Sequence, residues 1–335
     1  MRKLDFVLVG CGRAGALHLP HILKYGRLKA VIDTDKEKGK AWAKTYNCKF
    51  YVDIEDFIGE EFGVDIVVIC SPNYHHFYPA CFALWHKMNV LIEKPIVLTL
   101  THADRLIKYA EKSNVQIFTV MQNRFNPAVV AVKKALDKGD FGKLYSIQIN
   151  CFWNRNLEYY SDDWHGTKSM DGGILFTQFS HFIDLLIWFF GMPDTVKGIA
   201  NKVAHGKEME IDDQGAAILQ WKNGLIGTIQ YSVNAFEQNR EGSITIMGEH
   251  GMVKIGGTYL NQIDYQFMKG SSLVFKQKNI EPNDYGTYKG SMSNHGEVYK
   301  SMVNNLLKGK PYYTSPNEAK QTIELIKKIM KSNRK

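Results

Sequence analysis

The 335-residue sequence lacks several features that would place it in a specialised class of protein. Its five cysteines are scattered without any C-x-x-C pair, which argues against a zinc site or a disulfide framework and favours reduced thiols. The longest apolar stretch, residues 182–190, is interrupted by Asp184 and is too short to span a bilayer. We therefore expect no membrane segment and no bound metal.

The N-terminus and the charge distribution exclude two further classes. Met1–Asp5 leads directly into the first predicted strand, which leaves no room for a signal peptide and predicts a cytoplasmic protein. The net charge of +8 either attracts an anionic substrate or lies on solvated helix faces and in the C-terminal tail. Because no basic stripe is interleaved with aromatic residues, we expect no binding to nucleic acid.

The length predicts two domains, and the residue pattern changes near residue 122. Residues 1–122 alternate apolar strands with helices, which predicts an α/β domain with a doubly wound parallel sheet. Predicted strands lie at Phe6–Val9, Lys29–Ile32, Asp65–Cys70, Asn89–Ile92 and Gln116–Val120, and predicted helices at Gly15–Lys24, Lys36–Thr45, Tyr78–His86 and Leu100–Lys112.

Residues 123–335 instead predict an α+β domain with an open-faced, mostly antiparallel sheet. The alternating stretches are Leu144–Trp153, Gly215–Trp221, Leu225–Val233, Gly242–Met247 and Met252–Ile255. Predicted helices lie at Ala128–Lys138, Thr177–Phe190, Gly296–Lys308 and Pro316–Met330. We expect this domain to bind the substrate and to carry the contacts between subunits.

A glycine-rich turn predicts a dinucleotide site in the first domain. The first strand runs into Gly10-Cys11-Gly12-Arg13-Ala14-Gly15 and then into a helix, and the second strand ends on Asp33. The glycines allow a tight turn, the approach of a pyrophosphate and close helix packing, while the helix N-terminus at Arg13 and Ala14 offers N–H groups to phosphates. Asp33 would accept ribose hydroxyls and repel a 2′-phosphate, which favours NAD over NADP.

The second candidate is Glu93-Lys94-Pro95 at the end of the fourth predicted strand. Ligands of open α/β sheets lie outside the carboxyl ends of the strands, so the Lys94 ammonium would point towards the nicotinamide and the substrate. There it could stabilise negative charge on the reacting oxygen. From the tripeptide alone, a surface lysine in a strand-to-helix loop is the favoured interpretation.

The third candidate lies in the segment Asp171–Asp184. Thr177, His181 and Asp184 have the spacing of one helical face. The imidazole of His181 could accept a hydroxyl proton, and Asp184 could orient the ring. A buried core histidine satisfied by its neighbours is the alternative.

Four motifs follow one another along the chain. They are Val9-Gly10-x-Gly12-x-x-Gly15-x-x-His18, Ser71-Pro72-Asn73-x-x-His76, Glu93-Lys94-Pro95 and Gly172-Gly173-x-Leu175 followed by His181-x-x-Asp184. Together they resemble the glucose–fructose oxidoreductase / inositol dehydrogenase / rhizopine-catabolism (Gfo/Idh/MocA) family. The resemblance implies a Rossmann domain that binds NAD and an open-faced sheet domain, with Lys94 and His181 as the catalytic pair. It also implies a cofactor site that includes Ser71, Asn73, His76, Glu93, Lys94 and Gln122.

One position departs from the family pattern. Many sugar dehydrogenases of this family carry Asp or Asn four residues before the histidine, whereas this chain has Thr177, followed by Gln178. Because a hydroxyl cannot replace a carboxylate, the departure argues against simple polyol dehydrogenase activity.

A narrower resemblance concerns the second domain. Met121–Pro127, Trp164–Thr167, Ser180–Leu186 and Glu241–Gly251 are similar to the branch that oxidises C3 of UDP-N-acetylglucosaminuronate in surface-polysaccharide (O-antigen-type) biosynthesis. This resemblance implies an anionic nucleotide-sugar substrate. The residues proposed to contact it are Lys94, Arg124, Arg155, Trp164, Lys168, Thr177, Gln178, His181, Asp184 and Arg240. The guanidinium groups suit a carboxylate or a diphosphate, although Arg155, Lys168 and Arg240 could each be a surface charge and Trp164 a core residue.

Other functions remain open at this point. Within the family the main alternative is a simple sugar or cyclitol dehydrogenase, and on the same fold it is a glycosidase that uses NAD transiently. A dinucleotide-sensing regulator would not need both Lys94 and His181. The proposed partners are a downstream aminotransferase, 2-oxoglutarate as a hydride acceptor and further copies of this chain, as a dimer or tetramer.

Overall fold

The computed structural model of the protein describes residues 2–60, 63–207, 209–270, 272–275, 281–286 and 288–332. The chain forms two compact units, each made of two stretches of sequence. Unit 1 comprises Met1–Met121 and His295–Ile323, and unit 2 comprises Gln122–Asn294 and Glu324–Lys335. The sequence predicts one division after residue 122, and the structure differs because residues 295–323 return to unit 1.

The first stretch of unit 1 forms a parallel sheet. Its strands are β1 (Leu4–Val9), β2 (Gly26–Ile32), β3 (Lys49–Tyr51), β4 (Ile66–Ile69), β5 (Asn89–Ile92) and β6 (Ile117–Thr119), and its helices are α1 (Arg13–Tyr25), α2 (Lys36–Tyr46), α3 (Ile54–Glu60), α4 (Phe77–Trp85) and α5 (Leu100–Ser113). The strand order is β3-β2-β1-β4-β5-β6 and every pairing is parallel. The predicted doubly wound sheet is confirmed.

The core of unit 1 explains why its strands are easy to recognise. Every residue of β4, Ile66–Ile69, is fully buried, as expected for a strand covered on both faces. The short β3 and α3 were not predicted, because three and seven residues are too few to show a clear period. No helix within the described ranges is both long and apolar enough to cross a membrane.

Unit 2 contains a larger sheet. Its strands are β7 (Leu144–Phe152), β8 (Thr195–Asn201), β9 (Gln214–Gln220), β10 (Ile226–Ser232), β11 (Glu241–Gly248), β12 (Gly251–Gly256) and β13 (Gln262–Met268), a separate pair is β14 (Pro282–Asp284) and β15 (Lys289–Met292), and the helices are α6 (Pro127–Lys138), α7 (Ile174–Thr177) and α8 (Ser180–Phe190). The order β13-β12-β11-β7-β10-β9-β8 is antiparallel except for the parallel pair β7–β10. The mostly antiparallel sheet is confirmed, although the polar edge strands β8 and β13 were not predicted.

One face of this sheet is packed and the other is open. Ile147 and Ile149 of β7 are buried, whereas Gln148 between them is exposed. On the packed face the ring of Trp153 lies 5.4 Å from that of Phe179 and 5.9 Å from that of Phe182, between centroids. The sheet and α8 therefore share one apolar core.

The predicted helix Thr177–Phe190 is interrupted. Helix α7 ends at Thr177 and α8 begins at Ser180, with Phe179 in a non-helical conformation between them. Side-chain hydrogen bonds hold the break, because the Thr177 hydroxyl bonds to Asp171 and the Gln178 amide donates to the Tyr159 hydroxyl at 2.6 Å. The prediction that Thr177 shares a helical face with His181 and Asp184 is therefore wrong.

The C-terminal part of the chain forms α9 (His295–Lys308) and α10 (Pro316–Ser332). Helix α9 belongs to unit 1, and the division between the units falls within α10, after Ile323. Tyr299 of α9 is fully buried, with its ring 6.2 Å from that of Phe6 in β1. This packing explains why residues 295–323 belong with the first unit.

Candidate functional site

The glycine turn of unit 1 has the geometry of a phosphate-binding loop. Gly10 has φ +96°, and a Cβ there would lie 2.8 Å from the Cys70 carbonyl carbon. A Cβ at Gly15 would lie 2.2 Å from the Gly10 carbonyl oxygen, whereas one at Gly12 would meet nothing within 4 Å. The first and third glycines are thus required by packing, and the second keeps open space above the backbone.

The start of α1 is suited to an anion. The helix begins at Arg13, after Gly12 as N-cap, and in the described chain no side chain caps it and no acid lies in its first turn. The first N–H groups of a helix have no partner within the helix and carry partial positive charge. The backbone of Ala14 and Gly15, in the first turn after Arg13, is therefore suited to face a phosphate.

Asp33 lies next to this turn. Its carboxylate accepts hydrogen bonds from the N–H of Cys11 at 2.7 Å and from that of Asp35 at 2.8 Å, and the residue is half-buried. A carboxylate has about four acceptor positions, so two remain for ribose hydroxyls. The turn, the helix start and Asp33 together fit a dinucleotide.

The carboxyl edge of the sheet carries buried polar atoms that no described residue satisfies. The hydroxyl oxygens of Ser71, beyond β4, and Thr119, at the end of β6, are buried without a hydrogen-bond partner among the described residues. Such orphaned groups are costly unless a ligand or water meets them. Asn73 follows in the same loop and is buried. Ligands of doubly wound sheets bind at this edge.

His76 joins two loops at this edge. Its Nδ1 lies 2.7 Å from the carbonyl oxygen of Pro95, and its Nε2 lies 2.8 Å from that of Ser71. Burial lowers the pKa of the ring, although both contacts oppose this effect. Because both nitrogens have partners within the chain, the observed role of His76 is to join these two loops.

Glu93 is the centre of a buried network. One carboxylate oxygen, Oε1, lies 2.9 Å from Nε2 of His18 and 3.2 Å from Nε2 of His295, while Oε2 accepts the Lys94 backbone N–H at 3.0 Å. Burial would raise the pKa of Glu93, but the hydrogen bonds from the histidines outweigh it and hold the pKa well below its usual range. Glu93 is thus an ionised anchor of the Lys94 loop, and both of its oxygens form hydrogen bonds within unit 1.

The network also fixes the state of His18. Because the ionised Glu93 can only accept, Nε2 of His18 carries the proton between them; because burial lowers the pKa of His18, the ring is neutral and its Nδ1 accepts from the Tyr299 hydroxyl at 2.9 Å. Within the described residues, His18, Glu93 and His295 are the one group whose ligand atoms, all within 4.8 Å, could hold a metal ion. Hydrogen bonds already account for the atoms that face one another, so the geometry is that of a proton-linked cluster.

Lys94 follows Glu93 directly and is half-buried, and its peptide bond to Pro95 is cis. Its backbone is tied to Glu93 and the next residue is tied to His76. An ammonium on a loop anchored at two points is suited to binding one oxygen in a fixed position.

His181 is the second residue of α8 and is 2% exposed. Ser180 before it has a buried hydroxyl that bonds to nothing in the described ranges. A buried imidazole at a helix start is chemically suited to accept a proton from a bound hydroxyl.

Arg124 and Asp184, both predicted to contact substrate, form an ion pair with each other. The guanidinium donates from Nε at 2.9 Å and from Nη2 at 2.7 Å, and both side chains are 2% exposed. The charge of Arg124 is therefore compensated inside unit 2. Both carboxylate oxygens of Asp184 accept from Arg124, and a role of Asp184 in orienting His181 stays a prediction.

Thr177, which stands where many relatives carry an acid or an amide, is itself hydrogen-bonded to a carboxylate. Its hydroxyl donates to Asp171, whose other oxygen accepts the Gly166 N–H at 2.9 Å. Burial raises the pKa of Asp171, while the Thr177 and Gly166 hydrogen bonds lower it. The acid that the sequence lacks four residues before His181 is thus present ten residues before it.

The remaining substrate candidates differ in burial. Arg155 is 3% exposed, whereas Lys168 and Arg240 are exposed, and Arg240 lies 3.7 Å from Glu237. Trp164 is half-buried, and its ring centroid lies 3.7 Å from that of His165, with the rings tilted by 31°. Of the three basic candidates, Arg155 alone is buried, as expected for a residue in a preformed binding site.

Gln122 lies in unit 2. Its amide donates to the Ser291 hydroxyl at 3.0 Å, and its Oε1 is buried with no partner in the part of the chain that the structure describes. Sequence reasoning missed roles for Asp171, Tyr159 and His295. Only the position of Asp171 at the start of the Gly-Gly segment gave a local signal.

Two family models match the chain. Residues 4–121 match an oxidoreductase family with an NAD-binding Rossmann fold, and residues 129–254 match the GFO/IDH/MocA C-terminal domain.

Solved structures match over almost the whole chain. The WlbA dehydrogenase of Bordetella pertussis in complex with NADH and UDP-GlcNAcA has 30% identity and a TM-score of 0.88, over 99% of this chain and 97% of that one. The Chromobacterium violaceum WlbA dehydrogenase, with the same ligands, has 28% identity and a TM-score of 0.89, over 100% and 94%.

A relative with a different named activity also matches. The 2,7-anhydro-N-acetylneuraminate hydratase of Mediterraneibacter gnavus is 28% identical over 280 residues, which are 77% of this chain and 70% of that protein.

Proposed function

Because the chain belongs to the Gfo/Idh/MocA family of NAD-dependent oxidoreductases, we propose that it oxidises the C3 hydroxyl of UDP-N-acetylglucosaminuronate to a ketone. The observation that carries the substrate is the similarity of the whole chain to two dehydrogenases crystallised with NADH and UDP-GlcNAcA. Surface-polysaccharide biosynthesis is the process that this substrate suggests.

The first unit would hold the cofactor. The backbone of Gly12–Gly15 would bind the pyrophosphate, and Asp33 would accept hydrogen bonds from the ribose hydroxyls. The open space above Gly12 and the absence of a side-chain cap or an acid in the described first turn of α1 support this. NAD, when bound, accepts the hydride that leaves the substrate carbon.

The chain itself would handle the proton and the oxygen. His181 would take the proton of the C3 hydroxyl as the C–H bond to the same carbon breaks, so the alcohol loses one proton and one hydride and becomes a ketone. Lys94 would donate a hydrogen bond to the C3 oxygen and stabilise negative charge there. General-base catalysis of this kind contributes about 10²–10⁴-fold to the rate.

The test is the absorbance of NADH after NAD and UDP-N-acetylglucosaminuronate are added to the wild-type protein, Lys94→Ala and His181→Asn. Lys222→Met serves as control, since this exposed lysine lies in the turn between β9 and β10. We expect NADH with the wild type and the control, and at least a 100-fold slower reaction with either site variant. No reduction by the wild type, with NAD binding demonstrated, would overturn the substrate assignment.

Addition of 2-oxoglutarate separates two fates of NADH. If NADH stays bound and the oxoacid reoxidises it in place, one equivalent of NADH forms and disappears when the oxoacid is added. If NADH leaves after each turnover, the absorbance rises continuously.

A second candidate function is supported by the hydratase relative. On the same fold, NAD could be reduced and reoxidised within one turnover, so that a sugar is converted without net NADH. If chromatography shows that 2,7-anhydro-N-acetylneuraminate is converted without net formation of NADH, this function is favoured over the dehydrogenase.

We also propose that the protein self-associates through the open face of the large sheet and passes its ketone product to an aminotransferase. Ile199, Ile218 and Phe267 are 75%, 58% and 70% exposed on that face. Several exposed apolar side chains on one face are typical of a surface that binds another protein chain. Light scattering of the wild type and of Ile199→Lys/Phe267→Lys measures the oligomeric state.

A further inference from the structure

Arg155 is a buried cation that forms no hydrogen bond to a carboxylate within the described residues. Its side chain donates from Nη1 to the Asn154 carbonyl and the Asn239 amide oxygen, which are both neutral, and its Nε is buried without a partner in the described ranges. Its guanidinium carbon lies 5.3 Å from the ring centroids of Trp153 and Tyr159 and 4.4 Å from that of Tyr288. Aromatic faces ease the burial of a cation, but they do not neutralise it.

Arg124 in the same unit shows what a compensated arginine looks like. It is equally buried, at 3% exposure, and is paired through two hydrogen bonds with Asp184. Burial of an unpaired charge is costly, so a protein that pairs one arginine and leaves another unpaired has a functional use for the second.

The nearby acids do not form an ion pair with Arg155 in the part of the chain that the structure describes. Asp171 and Asp213, which act electrostatically on Tyr160 together with Arg155, are held by hydrogen bonds elsewhere. Asp171 accepts from Thr177 and Gly166, and Asp213 accepts three consecutive backbone N–H groups, of residues 203–205. Burial also raises the pKa of Tyr159, so this phenol stays neutral.

The site is rigid before any ligand arrives. The oxygen of Asn239 accepts both Arg155 and the Asn154 N–H at 2.8 Å, while its amide nitrogen donates to the Tyr259 hydroxyl at 3.1 Å and the Lys289 carbonyl at 2.8 Å. The guanidinium is thereby fixed on one edge, and its Nη2 forms no hydrogen bond to any residue the structure describes.

The site is connected to the segment that carries His181. Tyr159, whose ring faces Arg155, accepts a hydrogen bond from Gln178 at 2.6 Å, and Gln178 lies three residues before His181. An anion bound by Arg155 would therefore belong to the reacting sugar, whereas the diphosphate of a nucleotide sugar lies further along the ligand.

We propose that Arg155 binds the carboxylate of an acidic sugar and thereby selects uronates over neutral sugars. This inference rests on the proposed function for its sugar-nucleotide ligand, but the carboxylate itself is argued from unit 2 alone. Both UDP-N-acetylglucosaminuronate and 2,7-anhydro-N-acetylneuraminate carry such a group, so the experiment includes each source.

The test compares the affinity for UDP-N-acetylglucosaminuronate with that for UDP-N-acetylglucosamine, which has a hydroxymethyl group in place of the carboxylate, by titration calorimetry in the presence of NADH. We expect the wild type and Lys222→Met to prefer the uronate about 10- to 100-fold, the range for a charge-assisted hydrogen bond. Arg155→Met should bind both ligands equally, and Arg155→Lys should keep part of the preference. An unchanged preference in Arg155→Met, or an equal loss of both affinities, would overturn the inference.

A second measurement needs no nucleotide sugar. Glucuronate should raise the melting temperature of the wild type more than glucose does, and Arg155→Met should abolish the difference. In the absence of ligand, Arg155→Met should melt no lower than the wild type, because it removes an uncompensated charge. If Arg155→Met does not fold, the role is structural and the inference fails.

The two measurements separate the possible failures. Carboxylate-dependent stabilisation by glucuronate or 2,7-anhydro-N-acetylneuraminate, without binding of UDP-N-acetylglucosaminuronate, would refute the proposed substrate and keep the role of Arg155. Oxidation of the nucleotide sugar at equal rates by Arg155→Met and the wild type would support the proposed substrate and refute the role of Arg155.

Discussion

The two units build their candidate sites from different materials. In unit 1 the site is mostly backbone: a glycine turn, the start of α1 and the carbonyl groups that hold His76. In unit 2 it is mostly side chain on side chain, as in Arg124 with Asp184, 60 residues apart, and Arg155 with Asn239, 84 residues apart. A backbone site depends on a few local positions, whereas a side-chain site depends on every member of a distributed network.

The side-chain site should be broken most severely by loss of one ionic partner. Asp184→Asn leaves the buried Arg124 incompletely compensated, and we expect it to lower the free energy of unfolding by about 3–5 kcal/mol. Urea denaturation measures the loss. The double variant Arg124→Met/Asp184→Leu should recover most of it, and a single variant as stable as the wild type would refute the distinction.

The backbone site should respond to a single methyl group, and differently at neighbouring glycines. Gly15→Ala places Cβ 2.2 Å from the Gly10 carbonyl oxygen, and we expect a loss of about 1–3 kcal/mol in stability. Gly12→Ala meets nothing within 4 Å, so it should keep the wild-type melting temperature and weaken NAD binding, measured by fluorescence titration. Equal melting temperatures for the two variants would contradict the assigned roles of these glycines.

A smaller effect should follow from the hydroxyl of Thr177. Thr177→Val removes a donor from the buried carboxylate of Asp171, and we expect a loss of about 1–3 kcal/mol in stability. Thr228→Val on the open face of β10 is the matched control and should change stability by less than about 0.5 kcal/mol. Urea denaturation of both variants distinguishes a buried network from a general intolerance of valine.

The smallest effect should come from pH in unit 1. Burial, followed by the nearby His295 and His18, lowers the pKa of His21 from 6.5 to about 4. Because the unfolded chain then binds more protons below pH 6.5, the contribution of His21 to stability is full above 6.5 and is lost as the pH falls towards 4. The melting temperature should therefore fall less steeply over this range in His21→Asn than in the wild type. Leu23→Asn, an exposed change on the same helix, should keep the wild-type slope.

The same contrast explains how much could be predicted from the sequence. The parallel sheet and the glycine turn were predictable because Ile66–Ile69 and Gly10–Gly15 carry their signals within a few residues. The motif context also predicted NAD, which the family matches confirm.

The sequence could not predict which charges pair. Arg124 and Arg155 look alike as candidates for an anion, and only the fold shows that Asp184 compensates the first. Likewise, the break after Thr177 depends on Asp171 and Tyr159, whose contacts no helical period reveals.

The return of α9 to unit 1 has a consequence for how the protein is made. Tyr299 and His295 complete the core around His18 and Glu93, yet a ribosome releases them only after the whole sheet of unit 2 has been synthesised. Unit 1, which binds the nucleotide, therefore stays incomplete while most of unit 2, which lies between its two stretches in the sequence, is synthesised. A fragment cut after residue 122 would carry the glycine turn but would expose the apolar surface that α9 covers in the full chain. We expect such a fragment to associate with chaperones or to aggregate, whereas the full chain folds.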